Sequence, residues 1–332
     1  MINFLFIFIV LNSIIILSLE KLSKSVNIYD KPDNLLKKHK SSVPLIGGVI
    51  MIINILAYII LEVFFNLQYF NIEISKREFM SLLFFIFSFF LIGLYDDKYK
   101  IKPERKFFIS ILISIFVLSL NKNLLINNIT FSFYDQKIFL NNFKYFFTIF
   151  CIIILLNSLN FYDGTNGQLI IFFIIIFSFL GIKSPAPYIY ILIDIILLFL
   201  LFLNLKNKIF LGDNGVFTLS SLLIILIVYE HNQFNSLEYA DEIFLLLILP
   251  GIDLVRLTIS RIFKGKNAFY GDRKHIHHLL TNKLSLTFSN IILSFLIFLP
   301  IILFSVIKIS FFISLSVFLI FYSFIVIKFA QK

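Results

Sequence analysis

Four short stretches hold the unusual polar clusters of this chain. In "GLYDDKYKIKPERKF", Asp96 and Asp97 stand side by side at the end of an apolar run, followed by five basic residues ending at Lys106. Adjacent carboxylates in that position repel each other and resist desolvation, so a cation or a proton-transfer task would account for them, with a merely solvated helix end as the bland alternative. "FLGDNGVF" sets Asp213 between glycines; alone, it could equally be a turn. "NSLNFYDGTNGQ" has no Lys or Arg, and Asn157, Asn160, Asp163 and Asn166 recur at every third position. On a continuing helix these four share one face, and Gly164 and Gly167 let a ligand approach the backbone. At the end of a membrane span such a polar stripe is expensive, which favours ligand binding over a plain turn. "YGDRKHIHHLL" then gathers His275, His277 and His278, three of the five histidines, behind Asp272 and Arg273.

In combination these residues suit an anionic substrate. A hard divalent cation bound through substrate phosphates needs only one or two protein oxygens, which Asp213 and Asn160 could supply. Nearby lysines and arginines would neutralise the remaining phosphate oxygens. The histidines, at i, i+2 and i+3, lack the i, i+4 face and the tetrahedral set that zinc prefers. A pH sensor or a solvated interfacial helix is the bland alternative. The preferred reading is a basic cradle in which Arg273 and one or more histidines bind phosphate or sugar oxygens.

The elements that must carry these stretches are membrane helices. Of 332 residues, 59% are hydrophobic and only 14% charged, with 45 Phe, no Trp and a mean hydropathy of +0.97. A soluble domain is nearer a quarter charged. Apolar runs long enough to span recur along the chain, at roughly 2–19, 44–67, 79–95, 107–120, 143–158, 168–182, 188–205, 216–229, 243–260, 286–307 and 309–328. The fold class read from this is all-α: a polytopic helical membrane protein of about 10–11 spans, forming a single domain over 1–332. The first run lacks the basic n-region and small-residue cleavage site of a signal peptide and reads as a retained span. One cysteine, Cys151, excludes an intrachain disulfide and a Cys-based zinc site.

Net charge is +10, but the basic residues lie in short loops, which argues against nucleic acid as a partner. With the N-terminus outside, 22 of the 29 Lys and Arg fall in inside loops and 7 outside, so the positive-inside rule places the four polar stretches in the cytoplasm. Lys37, Lys38, His39 and Lys40 read first as a positive-inside anchor. Segment 121–142, with "NITFSFYDQKIFL", alternates enough for a short hairpin on the outer side. Glu62 and Asp194 are deep in apolar runs; for Asp194, helix–helix hydrogen bonding is the preferred use.

At this point the residues resemble the polyprenyl-phosphate N-acetylhexosamine-1-phosphate transferase family. The likeness is to its bacterial undecaprenyl-phosphate GlcNAc-1-phosphate transferase branch, related to the phospho-MurNAc-pentapeptide translocase. "DKP…KKHKSSVPLIGG", "GLYDD", "NSLNFYDGTNG", "FLGDNG" and "PGIDLVRLTISR…GDRKHIHHLL" stand in family order over roughly 1–285, and "HIHH" is the form similar to the GlcNAc branch. The resemblance implies transfer of an N-acetylhexosamine 1-phosphate from a UDP-sugar to undecaprenyl phosphate, releasing UMP, with Mg²⁺ (Mn²⁺ as the alternative). It further implies residence in the bacterial cytoplasmic membrane and the first step of a cell-envelope polysaccharide. The partners are then a UDP-N-acetyl sugar, undecaprenyl phosphate and membrane lipid, with a homodimer left open.

Carried onto this chain, Asp213 and Asn160 resemble the metal ligands and Lys106 a basic residue on the diphosphate. Asp96 and Asp97 resemble the acidic pair proposed to hold or deprotonate the lipid phosphate. Asp163 and Asn166 resemble nucleotide-side contacts, and Asn157 is counted with them as a substrate-binding candidate. Arg273, His275, His277 and His278 resemble the loop that closes on diphosphate and sugar. The chain departs from the pattern at Lys100, where a third Asp is usual, at Val216, where Ser is usual, and in "TNG" for "LDG" or "LNG". Two rivals share some features. A transporter or flippase would want polar groups at the midplane and breaks in related halves. An aromatic prenyltransferase would want two well-formed Asp-rich motifs, where this chain has one acidic pair.

Overall fold

A computed structural model describes residues 2–32, 42–65, 75–265 and 274–330. Lys37, Lys38, His39, Lys40 and Arg273 lie outside the described residues. The chain is helical with two small antiparallel ladders. In order come α1 (Ile2–Leu17), α2 (Leu19–Val26), β1 (Tyr29–Asp30), β2 (Val43–Pro44), α3 (Gly47–Phe65), α4 (Lys76–Tyr99) and α5 (Pro103–Leu120). The hairpin strands β3 (Asn128–Phe131) and β4 (Tyr134–Phe139) follow, then α6 (Lys144–Tyr162), α7 (Gln168–Lys183), α8 (Pro187–Leu205) and α9 (Gly212–Asn232). The chain continues through α10 (Ala240–Leu246), α11 (Ile248–Phe263), α12 (Ile276–Thr281), α13 (Leu286–Ile301) and α14 (Phe311–Ala330).

Every one of the eleven expected spans contains a helix. By length and composition, six of the described helices can cross a membrane alone, and eight spans result if each of two bent pairs counts as one. Two shorter apolar helices, Gly47–Glu62 and Gln168–Lys183, add to these. Helix α5 falls short because Glu104, Arg105 and Lys106 occupy its first turn. The expected span 243–260 is a correction: it is broken, α10 and α11 meeting at 75°. Pro250 is the cause, since it has no N–H to give the carbonyl four residues back and its ring crowds that carbonyl. The hairpin expected in 121–142 is present, Ile129 facing Ile138 and Phe131 facing Tyr134.

Packing divides the chain into two compact units, Met1–Leu120 with Phe177–Leu223, and Asn121–Ile176 with Ile224–Lys332. In the first, a capping box starts α4: Glu78 N donates to Ser75 Oγ and Ser75 N to Glu78 Oε2. Lys100 ends α4 in the left-handed region at φ 56°, its N–H bonded to Asp96 O. Gly93 has no Cβ because one would collide with the backbone of Asp213 and Asn214, so α4 meets the start of α9 at backbone contact. Deep in this unit, Ser178 Oγ donates to Asp194 Oδ2 at 2.7 Å, the expected helix–helix bond, here from α7 to α8.

In the second unit, α6 packs along α11 and α12 rests on α13 and α14. The carboxylate of Asp241, at the start of α10, accepts from Ser132 N and Ser132 Oγ and so holds the hairpin.

Candidate active site

The acidic pair divides its work in the first unit. Asp97 Oδ1 accepts from Asp213 N at 3.0 Å, and its Oδ2 accepts from Asn214 N at 2.9 Å and from Asn214 Nδ2. The first turn of a helix leaves such amides without intrahelical partners, and a carboxylate there is favoured by the helix dipole. Asp97 is therefore the cap of α9. Asn214, fully buried, completes the joint by donating from Nδ2 to Leu45 O at 3.0 Å.

Asp96 turns the other way. Its Oδ1 accepts from Ile101 N at 2.6 Å and its Oδ2 from Lys106 Nζ at 2.6 Å. The same ammonium donates to Asp213 Oδ2 at 2.8 Å and lies 5.3 Å from the centre of the Phe217 ring. Burial works against the Lys106 charge, yet Asp213 and Asp96 outweigh it and hold its pKa above the ordinary lysine value. Of the three side chains Asp213 is the most open, 26% exposed against 15% for Lys106 and 7% for Asp96. Sequence reasoning thus named four residues, Asp96, Asp97, Lys106 and Asp213, that the fold brings into one cluster. Val216 is packed inside, fully buried.

The polar stripe in the second unit needs a correction. Asn157, Asn160, Asp163 and Asn166 do not share a helix face, because α6 ends at Tyr162 and Asp163 caps it with an extended ψ of 93°. Asx side chains compete for nearby backbone groups, and the run of Asp, Gly, Thr, Asn and Gly favours leaving the helix. Asn157 Nδ2 donates back to Ile153 O at 2.7 Å, Asn160 is half-buried on the last turn, and Asn166 O accepts from Asn290 Nδ2 at 3.0 Å. Thr165 Oγ1 donates to Gln168 Oε1 at 2.9 Å.

Against this loop lies the histidine array. His277, 1% exposed, has Nδ1 3.1 Å from Gln168 Nε2, and its ring sits where a Cβ on Gly164 would fall. Only glycine leaves that space. His277 stacks on His275 with centroids 5.3 Å apart and meets His278 edge-on at 4.3 Å. Burial, with His278 and His275 adjacent, pushes the His277 pKa well below the ordinary imidazole value, so the ring is neutral. His275 is buried with its Nδ1 2.8 Å from Asp253 Oδ2. His278 alone of the three is half-buried. Sequence reasoning missed Asp253, Arg256, Gln168 and Asn214. Asp253 and Arg256 stood in a quoted motif, and charges three residues apart in an apolar run are the signal that could have found them.

Among the described residues, no group of three or more His, Cys, Asp and Glu is arranged to hold a metal ion. A hard cation held mainly by phosphate oxygens needs no such group, and the carboxylate of Asp213 is a hard oxygen donor of the kind Mg²⁺ or Mn²⁺ takes.

Comparison with known proteins agrees with the motifs. Residues 79–231 match the family described as Glycosyl transferase family 4. The chain is 28% identical over 273 residues to the undecaprenyl-phosphate alpha-N-acetylglucosaminyl 1-phosphate transferase of Escherichia coli K12, covering 78% of this chain and 71% of that one. Proteins of the same name from Yersinia pestis and Haemophilus influenzae are each 27% identical over 274 residues, covering 78% of this chain and 71% and 73% of theirs.

Proposed function

From the premise that this chain resembles the polyprenyl-phosphate N-acetylhexosamine-1-phosphate transferases over most of its length, we propose that it is a membrane sugar-phosphate transferase. The donor is a UDP-N-acetylhexosamine, with UDP-GlcNAc the first choice because the relatives carry that sugar in their names. The acceptor is undecaprenyl phosphate. An oxygen of the lipid phosphate attacks the phosphorus that bears the sugar, the bond to the uridine-side phosphate breaks, and UMP leaves. The products are undecaprenyl-diphospho-sugar and UMP, made at the cytoplasmic face of a bacterial membrane for cell-envelope polysaccharide.

The observation that carries this reading is the Lys106 ammonium held between Asp96 and Asp213. A lysine fixed and kept charged in a partly desolvated place is able to bind phosphate as a point charge, and pre-set cations stabilise charge as it develops on phosphate oxygens without reorganising. Asp213, the most open of the three, is the residue that would hold Mg²⁺. The cation, when bound, would neutralise phosphate charge and orient the oxygens for in-line displacement. Asp96, already hydrogen-bonded by Lys106, is placed to set where that ammonium points or to take a proton from the lipid phosphate. His278 supplies a nitrogen donor for diphosphate or sugar oxygens.

The test is direct. Purified protein is given undecaprenyl phosphate and a panel of radiolabelled UDP-sugars, with Mg²⁺ or Mn²⁺ or with chelator. Label entering the lipid phase, with UMP released in equal amount and only with a divalent cation, is the expected result. Label crossing sealed vesicles unchanged would mark a transporter instead.

A further inference from the structure

One heavily partnered acid of the second unit was left without a role by the sequence. Asp253 is 1% exposed, inside α11. Its Oδ1 accepts from Arg256 Nη2 at 2.6 Å and from Tyr322 OH, on α14, at 2.8 Å. Its Oδ2 faces His275 Nδ1 at 2.8 Å. Arg256 is itself braced, donating from Nε to Tyr322 OH and from Nη2 to Lys274 O, each at 2.8 Å. Removing one member of so buried a set leaves charge or donors without partners.

The chemistry of these partners favours one form of His275. A carboxylate only accepts and a guanidinium only donates. His275 has the carboxylate of Asp253 at Nδ1 and the Arg261 Nη2 donor 3.4 Å from Nε2. One form satisfies both: a neutral ring protonated at Nδ1. An imidazolium, or the other tautomer, would turn an N–H against the arginine. His277 takes the opposite form. Gln168 Oε1 is occupied by the Thr165 hydroxyl, so the amide NH₂ faces His277, whose Nδ1 accepts and whose proton sits on Nε2. The rings of Phe161, His275 and His277 then stack in sequence, with interplanar angles of 15° and 9°, and His278 follows edge-on.

We infer that Asp253 is a positioning residue: it sets the Nδ1–H tautomer and ring plane of His275, and through the His275–His277 stack it seats His278, the half-exposed histidine that meets the substrate. The inference rests on the reading of this loop as the one that binds the sugar nucleotide. Asp253 thus acts as the orienting acid of a histidine array, with Tyr322 and Arg256 holding it from the other side.

The test uses the full chain in lipid nanodiscs, with ¹⁵N-labelled histidine, and turnover measured on the same preparations. In the wild type, His275 should show a protonated Nδ1 and a bare Nε2. Asp253→Asn should erase that signature and lower kcat by about a hundredfold, the scale seen when an orienting group is lost, with little change in KM for undecaprenyl phosphate. His275→Asn keeps an amide N–H where Nδ1–H stood and should retain roughly tenfold more turnover than His275→Ala. Tyr322→Phe, on the bracing side, should lower Tm and cost clearly less turnover than Asp253→Asn. An Nε2-protonated His275 in the wild type would overturn the inference. So would an unchanged tautomer and rate in Asp253→Asn, equal losses in His275→Asn and His275→Ala, or a Tyr322→Phe rate that falls in step with Asp253→Asn. If the wild type turns over no UDP-sugar, the proposed function and the seating of His278 fail together, while the tautomer still decides whether Asp253 fixes His275.

Discussion

In the first unit, acids are held by main-chain amides and one lysine: Asp97 by the start of α9, Asp96 by Ile101 N and Lys106. In the second, imidazoles are held by side chains: His275 by Asp253 and Arg261, His277 by Gln168. The first arrangement fixes net charge in place and suits a cation and phosphate. The second fixes imidazole rings in place and suits directional hydrogen bonds. Residue type alone does not separate these uses. Asp96 and Asp97 are neighbours in sequence and point to different tasks because their partners differ.

The largest break in this comparison is expected at Asp213. Asp213→Asn keeps the shape and removes the most open carboxylate of the first cluster, so turnover at saturating Mg²⁺ should fall by about a thousandfold or more. A near-normal initial rate would move the metal assignment to Asp96. Next in size is His278→Ala, which should lower turnover by about a hundredfold, the value of one donor aimed at developing charge, with Tm unchanged. His277→Ala should lower Tm as well, because it also strips Gln168 of its partner; identical Tm values for the two variants would erase the distinction between outward and inward histidines.

Asp97→Ala should act on stability before rate. It leaves buried amides of α9 without an acceptor, at a cost of about 1–3 kcal/mol, read as a lower Tm in detergent. Asp96→Ala should do the reverse and lose turnover with a smaller change in Tm. If the two variants behave alike, the division between them is wrong. The smallest effect concerns pH. His277 is held neutral with its pKa well below the ordinary imidazole value, so the unfolded chain binds a proton at this site that the folded chain refuses. Stability from this group is full above about pH 6.5 and is lost as pH falls below it. His277→Gln should flatten the fall in Tm on mild acidification, and an unchanged slope would count against a buried neutral ring.

Much of the fold could be read from the chain because it rests on long local patterns. Apolar runs, Pro103 and Pro187 at helix starts, and the alternation of 128–139 each act within a few residues. The break at Pro250 was readable in principle but hidden in an apolar run. The polar stripe of 157–166 misled because spacing of three marks a helix face only if the helix continues, and it stops at Tyr162.

For the candidate sites, the sequence by itself determined which groups exist and that they belong to the same polar stretches between spans: acids, a lysine, amides and histidines in a setting where each is costly. Only the tertiary structure decided which partners each one meets. Asp97 became a helix cap because Gly93 lets α4 approach the backbone of Asp213 and Asn214. His275 became an internally bonded ring because Asp253 on α11 and Arg261 flank its two nitrogens. The role of an ionisable group in low-dielectric surroundings is set by the donors and acceptors within hydrogen-bond reach, and most of these come from segments far away in sequence.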